Sequence, residues 1–339
     1  MGHARQWIEQ CETKHPSCQN KTTASFTPTR LIDVGEKKIF QSLTRPVLRR
    51  REDIPPGSSY LTLSHCWGGT VPLRLMLNNM VDMMSQIPFT QLPKTFQDAI
   101  VVTQNLGLRY IWIDSLCIIQ DDEDDWRHEA ALMADVYKHG TCNLSASSAP
   151  NGLAGFFLDH EPILTKPVRA PFQTNRNNGT VSHDFWPEGV LRFFETGPLL
   201  SRGWVVQERL LSRRNIHFSK DQVVWECRCS SACEMFPASA PFKETLLFLK
   251  HRFSRVVWGG EEGLQSLRDV WSILVSEYTR CKLTKASDKL IAFGGIASTF
   301  TGPLGRRYVA GLWLDNVVYQ LCWEGRRGKS QDYIAPSWS

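Results

Sequence analysis

The chain has 339 residues, a formal net charge of +5 at pH 7 and an apolar content of 42%. That length suits one large domain or two small ones, and the composition is that of a globular protein with a substantial core. The basic clusters at residues 45–51 and 326–329 do not alternate with aromatic residues, as a nucleic-acid surface would. We therefore expect no nucleic-acid partner.

Two features predict a cytoplasmic protein without a membrane span. No stretch reaches the roughly 18 apolar residues of a transmembrane helix. Residues 1–6 are polar and lack the apolar segment of a signal peptide. In a reducing compartment the ten cysteines are expected to be free thiols rather than a disulfide framework.

Strand and helix patterns alternate between residues 60 and 146. Residues 60–66 alternate apolar and polar side chains, which predicts a strand. Residues 93–107 predict a helix that begins at Pro93 and ends at Gly107. Residues 110–119 are apolar almost throughout, which predicts a strand buried on both faces of a parallel sheet.

A second helix and a third strand complete this α/β pattern. Apolar residues recur at helical spacing over residues 126–137, with Asp124 or Asp125 as the expected cap, and residues 142–146 predict a strand. This alternation predicts a parallel sheet flanked by helices, with right-handed connections.

The remaining chain predicts three further regions. Residues 150–197 are polar and read as an insertion; a helix over 201–211 and a hairpin over 216–227 follow. Two apolar stripes at helical spacing make the last third mostly helical. We divide the chain into an N-terminal extension (1–58) with a Cys/His segment, a core (59–230) with the insertion, and a helical part (231–339) packed on the core.

Polar residues at the predicted strand ends are the first candidates for a site. Open α/β sheets bind ligands at the carboxyl ends of their strands. The residues predicted there are Ser64, His65, Trp67, Asp114 and Cys117. Trp67 can stack on a planar ring, and Gly68 allows the backbone to approach a ligand. Packing of Trp67 in the core is equally consistent with the pattern.

Two short segments have spacings typical of metal ligands. Cys11, His15 and Cys18 form one, and Cys227, Cys229 and Cys233 form the other. Structural zinc sites use four ligands, and each segment alone offers three. The segments could combine, but the sequence does not show that they meet. We therefore expect no metal site.

Four blocks resemble the fungal heterokaryon incompatibility (HET) domain. They are Leu61 to Gly69, Leu92 to Gln120, Trp126 to Tyr137, and Leu200 to Arg213 with Trp225 to Cys227. Segments near residues 283–290, 311–313 and 335–339 extend the resemblance over nearly the whole chain. The resemblance implies a protein that triggers death of fused fungal cells in non-self recognition, with an incompatibility partner that the sequence does not identify.

HET domains are in turn similar to Toll/interleukin-receptor (TIR) domains. Here the order of a Ser-aromatic strand end, an apolar strand ending at Asp114, and the segment Ser201-Arg-Gly-Trp204-Val-Val-Gln-Glu208 resembles TIR motifs. The resemblance implies a TIR/flavodoxin-like fold, self-association, and cleavage of NAD with Glu208 as the catalytic residue. NAD would be the substrate, so no bound cofactor is expected.

The resemblance and the strand ends together define the predicted site. Around Glu208 we expect the ligand-binding residues Ser64, Trp67, Gly68, Asp114, Cys117, Arg202 and Trp204. Arg202 would hold a pyrophosphate through a bidentate contact. Asp114 would orient a ribose or phosphate-side donor, since a charge at the end of an apolar strand must be paired or solvated.

Each of these assignments has a structural alternative. Glu208 could be a helix-surface residue paired with Arg209, Arg213 or Arg214, and Asp114 could cap the next turn. A salt bridge is expected for Glu129. Cys117 would be a nucleophile only with a base such as His65 beside it, because thiols in apolar runs are otherwise inert.

Two other function classes remain open. One is a non-enzymatic signalling module that oligomerises and recruits a partner. The other is an accessory protein or enzyme of a secondary-metabolite pathway.

Overall fold

The protein is described by a computed structural model that covers residues 2–19, 26–35, 45–69, 73–157, 168–174, 179–185, 197–239, 246–259, 263–305 and 307–322. The strands are β1 Arg30–Asp33, β2 Val47–Arg50, β3 Tyr60–Ser64, β4 Tyr110–Trp112, β5 Cys142–Ser145, β6 Val168–Thr174, β7 Gly179–Phe185, β8 Arg214–Phe218, β9 Val223–Cys227, β10 Ser231–Cys233, β11 Tyr308–Val309 and β12 Leu312–Trp313. The helices are α1 Gly2–Lys14, α2 Met80–Ser85, α3 Lys94–Asn105, α4 Asp114–Cys117, α5 Glu123–His139, α6 Gly203–Leu211, α7 Leu246–Ser254, α8 Leu264–Arg280, α9 Ile291–Phe300 and α10 Val317–Gln320.

An eight-stranded mixed sheet forms the centre of the fold, in the order β10-β9-β8-β5-β3-β4-β1-β2. Its four central strands, β4, β3, β5 and β8, are mutually parallel. Antiparallel strands extend it at both edges, with β1 on β4 and β9 on β8. The predicted α/β class is confirmed, and the parallel part is confined to the centre.

The order of the parallel strands determines where a ligand would bind. Numbered along the chain, they follow the spatial order 2-1-3-4, which is the flavodoxin-like arrangement. In such sheets the connections leave in opposite directions at the boundary between strands 1 and 3, which opens a crevice at their carboxyl ends. Here that boundary lies between β3 and β5, so Ser64 and Ser145 are at the crevice edge.

Two hydrophobic clusters meet at α6. The larger cluster surrounds the sheet, while the second is formed mainly by α8 and α9 and includes Leu210 and Leu211 of α6. Trp204 is half-buried and packs against both clusters. This position fixes α6 between the sheet and the helical part, so its side chains are held on both sides.

Local prediction was correct for most elements and wrong in two places. The helices over 93–107 and 126–137 and the strand over 142–146 are present as α3, α5 and β5. Residues 110–119 do not form one strand, because the chain turns into α4 at Asp114, whose side chain accepts a hydrogen bond from the Ser115 N–H (2.6 Å). The cap of α5 is Asp122, which accepts from the N–H groups of Asp124 and Asp125.

Parts of the predicted organisation fall on residues that the structure does not describe. Within the insertion predicted at about 150–197, β6 and β7 form an antiparallel hairpin, and residues 158–167, 175–178 and 186–196 lie outside the described residues. The segment 335–339 and the basic cluster at 326–329 also lie outside them. Among the helices of the described residues, none is both long and apolar enough to cross a bilayer.

Candidate functional site

A buried polar network joins the carboxyl ends of β3 and β5. The Nδ2 group of Asn143 donates to Ser64 Oγ (3.0 Å) and to Asn215 Oδ1 on β8 (3.0 Å). The Thr62 hydroxyl donates to Asn143 Oδ1 (3.0 Å). Thr62 and Ser64 are two residues apart on one strand and therefore share a face of the sheet. The network fixes the Ser64 side chain at the crevice edge.

Glu208 of α6 lies directly above this network. Its carboxylate accepts a short hydrogen bond from the Ser64 hydroxyl. The side chain is buried, and this burial raises the pKa of Glu208 from 4.5 to about 7, while Ser64 and Arg202 act in the opposite direction. A buried carboxyl with a pKa near neutrality exchanges a proton at physiological pH, as groups at functional sites often do. Glu208 is thus not the exposed, Arg209-paired residue of the alternative interpretation.

Arg202 connects the start of α6 to the end of β3. Its guanidinium donates to the main-chain carbonyl of His65. Because Arg202 also lowers the pKa of Glu208, its positive charge acts on the carboxyl group. The same residue therefore positions the strand end and supplies a positive potential beside Glu208.

Trp67, Asp114 and His65 form the adjoining part of the site. The Trp67 indole Nε1 donates to Asp114 Oδ2 (2.8 Å), and His65 Nδ1 lies 3.7 Å from Asp114 Oδ1. The His65 ring is stacked with Trp67 at a centroid distance of 6.4 Å. Burial lowers the pKa of His65, which favours the neutral imidazole. Asp114 is one-quarter exposed and remains accessible to solvent.

Three predicted residues lie differently from expectation. Cys117 is in α4 rather than at a strand end; it is fully buried, and burial raises its thiol pKa to about 12. The nucleophile alternative for Cys117 is therefore not supported. Trp204 directs its indole Nε1 to Asp288 Oδ2 (3.4 Å). Gly68 has a φ of +67°, and a Cβ there would lie 2.5 Å from Asn151 Cβ, so the nearby loop already occupies the space beside it.

Sequence reasoning missed two residues of the site. Asn143 was assigned only to a strand, although an amide inside an apolar strand needs hydrogen-bond partners. Tyr137 was assigned to the apolar face of its helix, but its hydroxyl donates to the Leu63 carbonyl (3.2 Å) and its side chain also lowers the pKa of Glu208. Glu129, expected in a salt bridge, lies 3.8 Å from Arg30.

The Cys/His segments do meet in the folded chain. The potential ligand atoms of Cys11, His15, Cys18 and Cys227 all lie within 4.8 Å of one another. The sequence did not show that the two segments meet; in the folded chain Cys227 joins the three residues of the N-terminal segment, so four potential ligands lie together. These residues lie near the start of β8, because Cys227 pairs with Arg214 in the sheet.

The fold and the site together define an α/β domain with flavodoxin-like strand order and a buried glutamate at its crevice edge. Residues 60–208 match the model of the family described as heterokaryon incompatibility protein (HET). Residues 60–208 therefore form a heterokaryon incompatibility domain, and the match supports a function in heterokaryon incompatibility. A search of curated proteins and a search of solved structures each found no match.

The matched range coincides with the candidate site. It begins at Tyr60, the first residue of β3, and ends at Glu208 itself. The sequence resemblance was expected to extend over nearly the whole chain, but the family match leaves out the N-terminal segment and everything after Glu208. Cys11, His15, Cys18 and Cys227 all lie outside the matched range. The helices α8 and α9, which form most of the second hydrophobic cluster, lie outside it as well.

Proposed function

We propose that the HET domain acts in incompatibility by hydrolysing the nicotinamide N-glycosidic bond of NAD, with Glu208 as the catalytic residue. The observation that carries this proposal is the contact between the Glu208 carboxylate and Ser64 at the crevice between β3 and β5. This is the position at which sheets of this strand order bind nucleotides.

The reaction needs a negative charge beside the ribose. The C1′–N1 bond breaks as nicotinamide leaves with the bonding electron pair, which neutralises its ring, and the ribose develops oxocarbenium character. Water then adds to C1′ and loses a proton, giving ADP-ribose, nicotinamide and one proton. A preorganised carboxylate stabilises the developing positive charge, and no strong general acid is required.

Neighbouring residues favour the ionised form of Glu208. The Ser64 hydroxyl donates to the carboxylate and Arg202 contributes positive charge, and both lower the pKa of Glu208 against the effect of burial. We assign Trp67 to stacking on a ring of the dinucleotide, and Asp114 to holding Trp67 and a ribose hydroxyl. Arg202 would face the pyrophosphate.

The proposal includes a route from chemistry to incompatibility. Depletion of NAD would kill the fused cell when self and non-self differ. Self-association would activate the domain, as in the TIR proteins that it resembles, and a partner protein would deliver the non-self signal.

The direct test is release of nicotinamide from NAD by the purified full chain at high concentration or with a crowding agent. We expect Glu208→Gln to abolish release, since the amide keeps the shape of the side chain and removes its charge. Glu123→Gln is the matched control, because this carboxyl lies on the exposed start of α5. Because the ionised form is active, wild-type release should increase as the pH rises through about 7, the pKa of Glu208.

Growth arrest separates this mechanism from its main alternative. Wild type and Glu208→Gln are expressed in a fungal host and scored for growth and cellular NAD. Equal killing by both proteins with constant NAD would contradict the enzymatic mechanism.

A non-enzymatic, oligomerising signalling module is the second candidate. It is favoured by the small exposed fraction of Glu208, 7%, and by the hydrogen bond that the carboxylate already makes within the protein. In this case Glu208 would be a structural acid, and killing would depend on assembly rather than on NAD.

A further inference from the structure

Four potential metal ligands from distant parts of the chain converge at one point. Cys11 is in the last turns of α1, His15 follows that helix, and Cys18 ends the short 3₁₀ turn Pro16–Cys18. Cys227 is the last residue of β9, more than 200 positions away. Three of the four side chains are buried and His15 is half-buried.

The separations suit tetrahedral coordination. With zinc–sulfur bonds of about 2.3 Å and zinc–nitrogen bonds of about 2.0 Å, ligand atoms of a tetrahedral site are about 3.5–3.8 Å apart. Cys227 Sγ lies 3.4 Å from His15 Nδ1, and all four ligand atoms lie within 4.8 Å of one another. Small side-chain adjustments would bring the four atoms into ligand positions.

Hydrogen-bond donors and a positive charge around the four residues favour negatively charged sulfur. The main-chain N–H groups of Cys229 and Ser230 point to Cys227 Sγ at 3.4 and 3.2 Å. Buried Arg214 directs its Nε to Cys11 Sγ at 3.1 Å. Three thiolates and one imidazole give a zinc complex a net charge of −1, which Arg214 can balance. Donors around first-shell ligands are typical of structural metal sites.

We propose that Cys11, His15, Cys18 and Cys227 bind one zinc ion in a structural site. Three sulfur ligands and one imidazole in a tetrahedral, closed arrangement are the donors that zinc prefers. A disulfide is the competing use of these cysteines, but all ten cysteines of the chain are free in the structure.

The ion would fasten the N-terminal segment to the sheet. Next to the cluster, the Trp7 ring stacks on Trp225 of β9 at 6.2 Å, and Trp7 Nε1 donates to the Pro237 carbonyl (2.8 Å). The site lies at the edge where β8 begins, whereas Ser64 and Glu208 lie where β3 ends. These are opposite ends of the parallel strands. The zinc site is therefore independent of the proposed NAD chemistry.

Metal content of the full chain, purified under reducing conditions, is the first measurement. We expect one zinc per chain by elemental mass spectrometry. Replacement by cobalt should give the visible bands of tetrahedral Co²⁺ and a thiolate charge-transfer band in the near ultraviolet. Wild-type protein that takes up neither metal would overturn the proposal, and this result does not depend on any variant folding.

Variants then identify the ligands. Cys18→Ser, Cys227→Ser and His15→Ala should each lose the zinc. Cys229→Ser is the matched control, because Cys229 is exposed and its Sγ is 3.9 Å from that of Cys18, but it is not one of the four proposed ligands.

Two outcomes of the variant series would overturn the ligand set: zinc retained by Cys227→Ser, or zinc lost from Cys229→Ser and retained by His15→Ala. Hydrogen exchange provides a separate readout in wild type. Removal of zinc by a chelator should increase amide hydrogen exchange in α1 and β9, while β3 and α6, which carry Ser64 and Glu208, stay protected.

Discussion

Neutralising Glu208 should stabilise the protein in a pH-dependent manner. In the folded protein, burial raises the pKa of this carboxyl from 4.5 to about 7. The folded state therefore holds its proton to higher pH than the unfolded state does. The favourable contribution is complete below about pH 4.5 and is lost as the pH rises through about 7. Glu208→Gln removes this loss, because the amide does not ionise.

The size of the effect follows from the two pKa values. At about 1.4 kcal/mol for each unit of pKa, a rise from 4.5 to about 7 corresponds to about 3 kcal/mol. The group is only 7% exposed, so solvent screening reduces this value little. Relative to wild type, the Gln variant should gain about 2.5 kcal/mol in unfolding free energy between pH 5 and pH 8, because part of the loss falls below pH 5.

Urea unfolding of both proteins at several pH values measures this difference. Subtracting the two curves cancels the other titrating groups. Glu123→Gln is the control, since it removes a carboxyl without removing a buried charge. If the difference between wild type and Glu208→Gln is the same at pH 5 and pH 8, Glu208 is not a buried acid with a raised pKa. The physical basis of the proposed site would then be wrong.

Three further substitutions test the packing around α6. Arg209→Ala should destabilise the fold by about 3–5 kcal/mol in urea unfolding, because it leaves buried Glu226 without its bidentate partner at 2.7 and 2.8 Å; a loss below 1 kcal/mol would contradict this. Gly295→Ala should destabilise by about 1–3 kcal/mol, since the new Cβ would lie 2.3 Å from Gln207 Oε1. A Cβ added at the neighbouring Gly294 would meet no atom within 4 Å. Gly294→Ala should therefore stabilise α9 by about 0.5–1 kcal/mol. Equal changes in unfolding free energy for the two glycine variants would refute the packing argument.

Periodicity was sufficient for elements whose burial follows one regular pattern. The helices α3 and α5 and the strand β5 were predicted close to their observed bounds. The run 110–119 failed because an apolar stretch does not distinguish a long strand from a short strand followed by a buried turn. Asp114 was the available signal, since an acidic residue is favoured in the first turn of a helix.

Among the site residues, some were predicted from the sequence and others were missed. Ser64 and Asp114 were predicted at strand ends from the local pattern, and Glu208 came from a family resemblance. That Glu208 contacts Ser64 is a long-range fact, because 144 positions separate them. Asn143 and Tyr137 were missed, since a strand pattern and a helix stripe do not reveal which polar atoms are directed into the interior.

By itself the sequence determined the α/β class, most helices and strands, and the family resemblance, because these depend on short-range hydrophobic spacing and on local motifs. Only the tertiary structure decided which distant polar groups share one environment. It buried Glu208 against Ser64 and brought Cys227 to the N-terminal Cys/His segment. Charge, pKa and metal binding depend on the distances between such groups, and those distances are set by the packing of the whole chain.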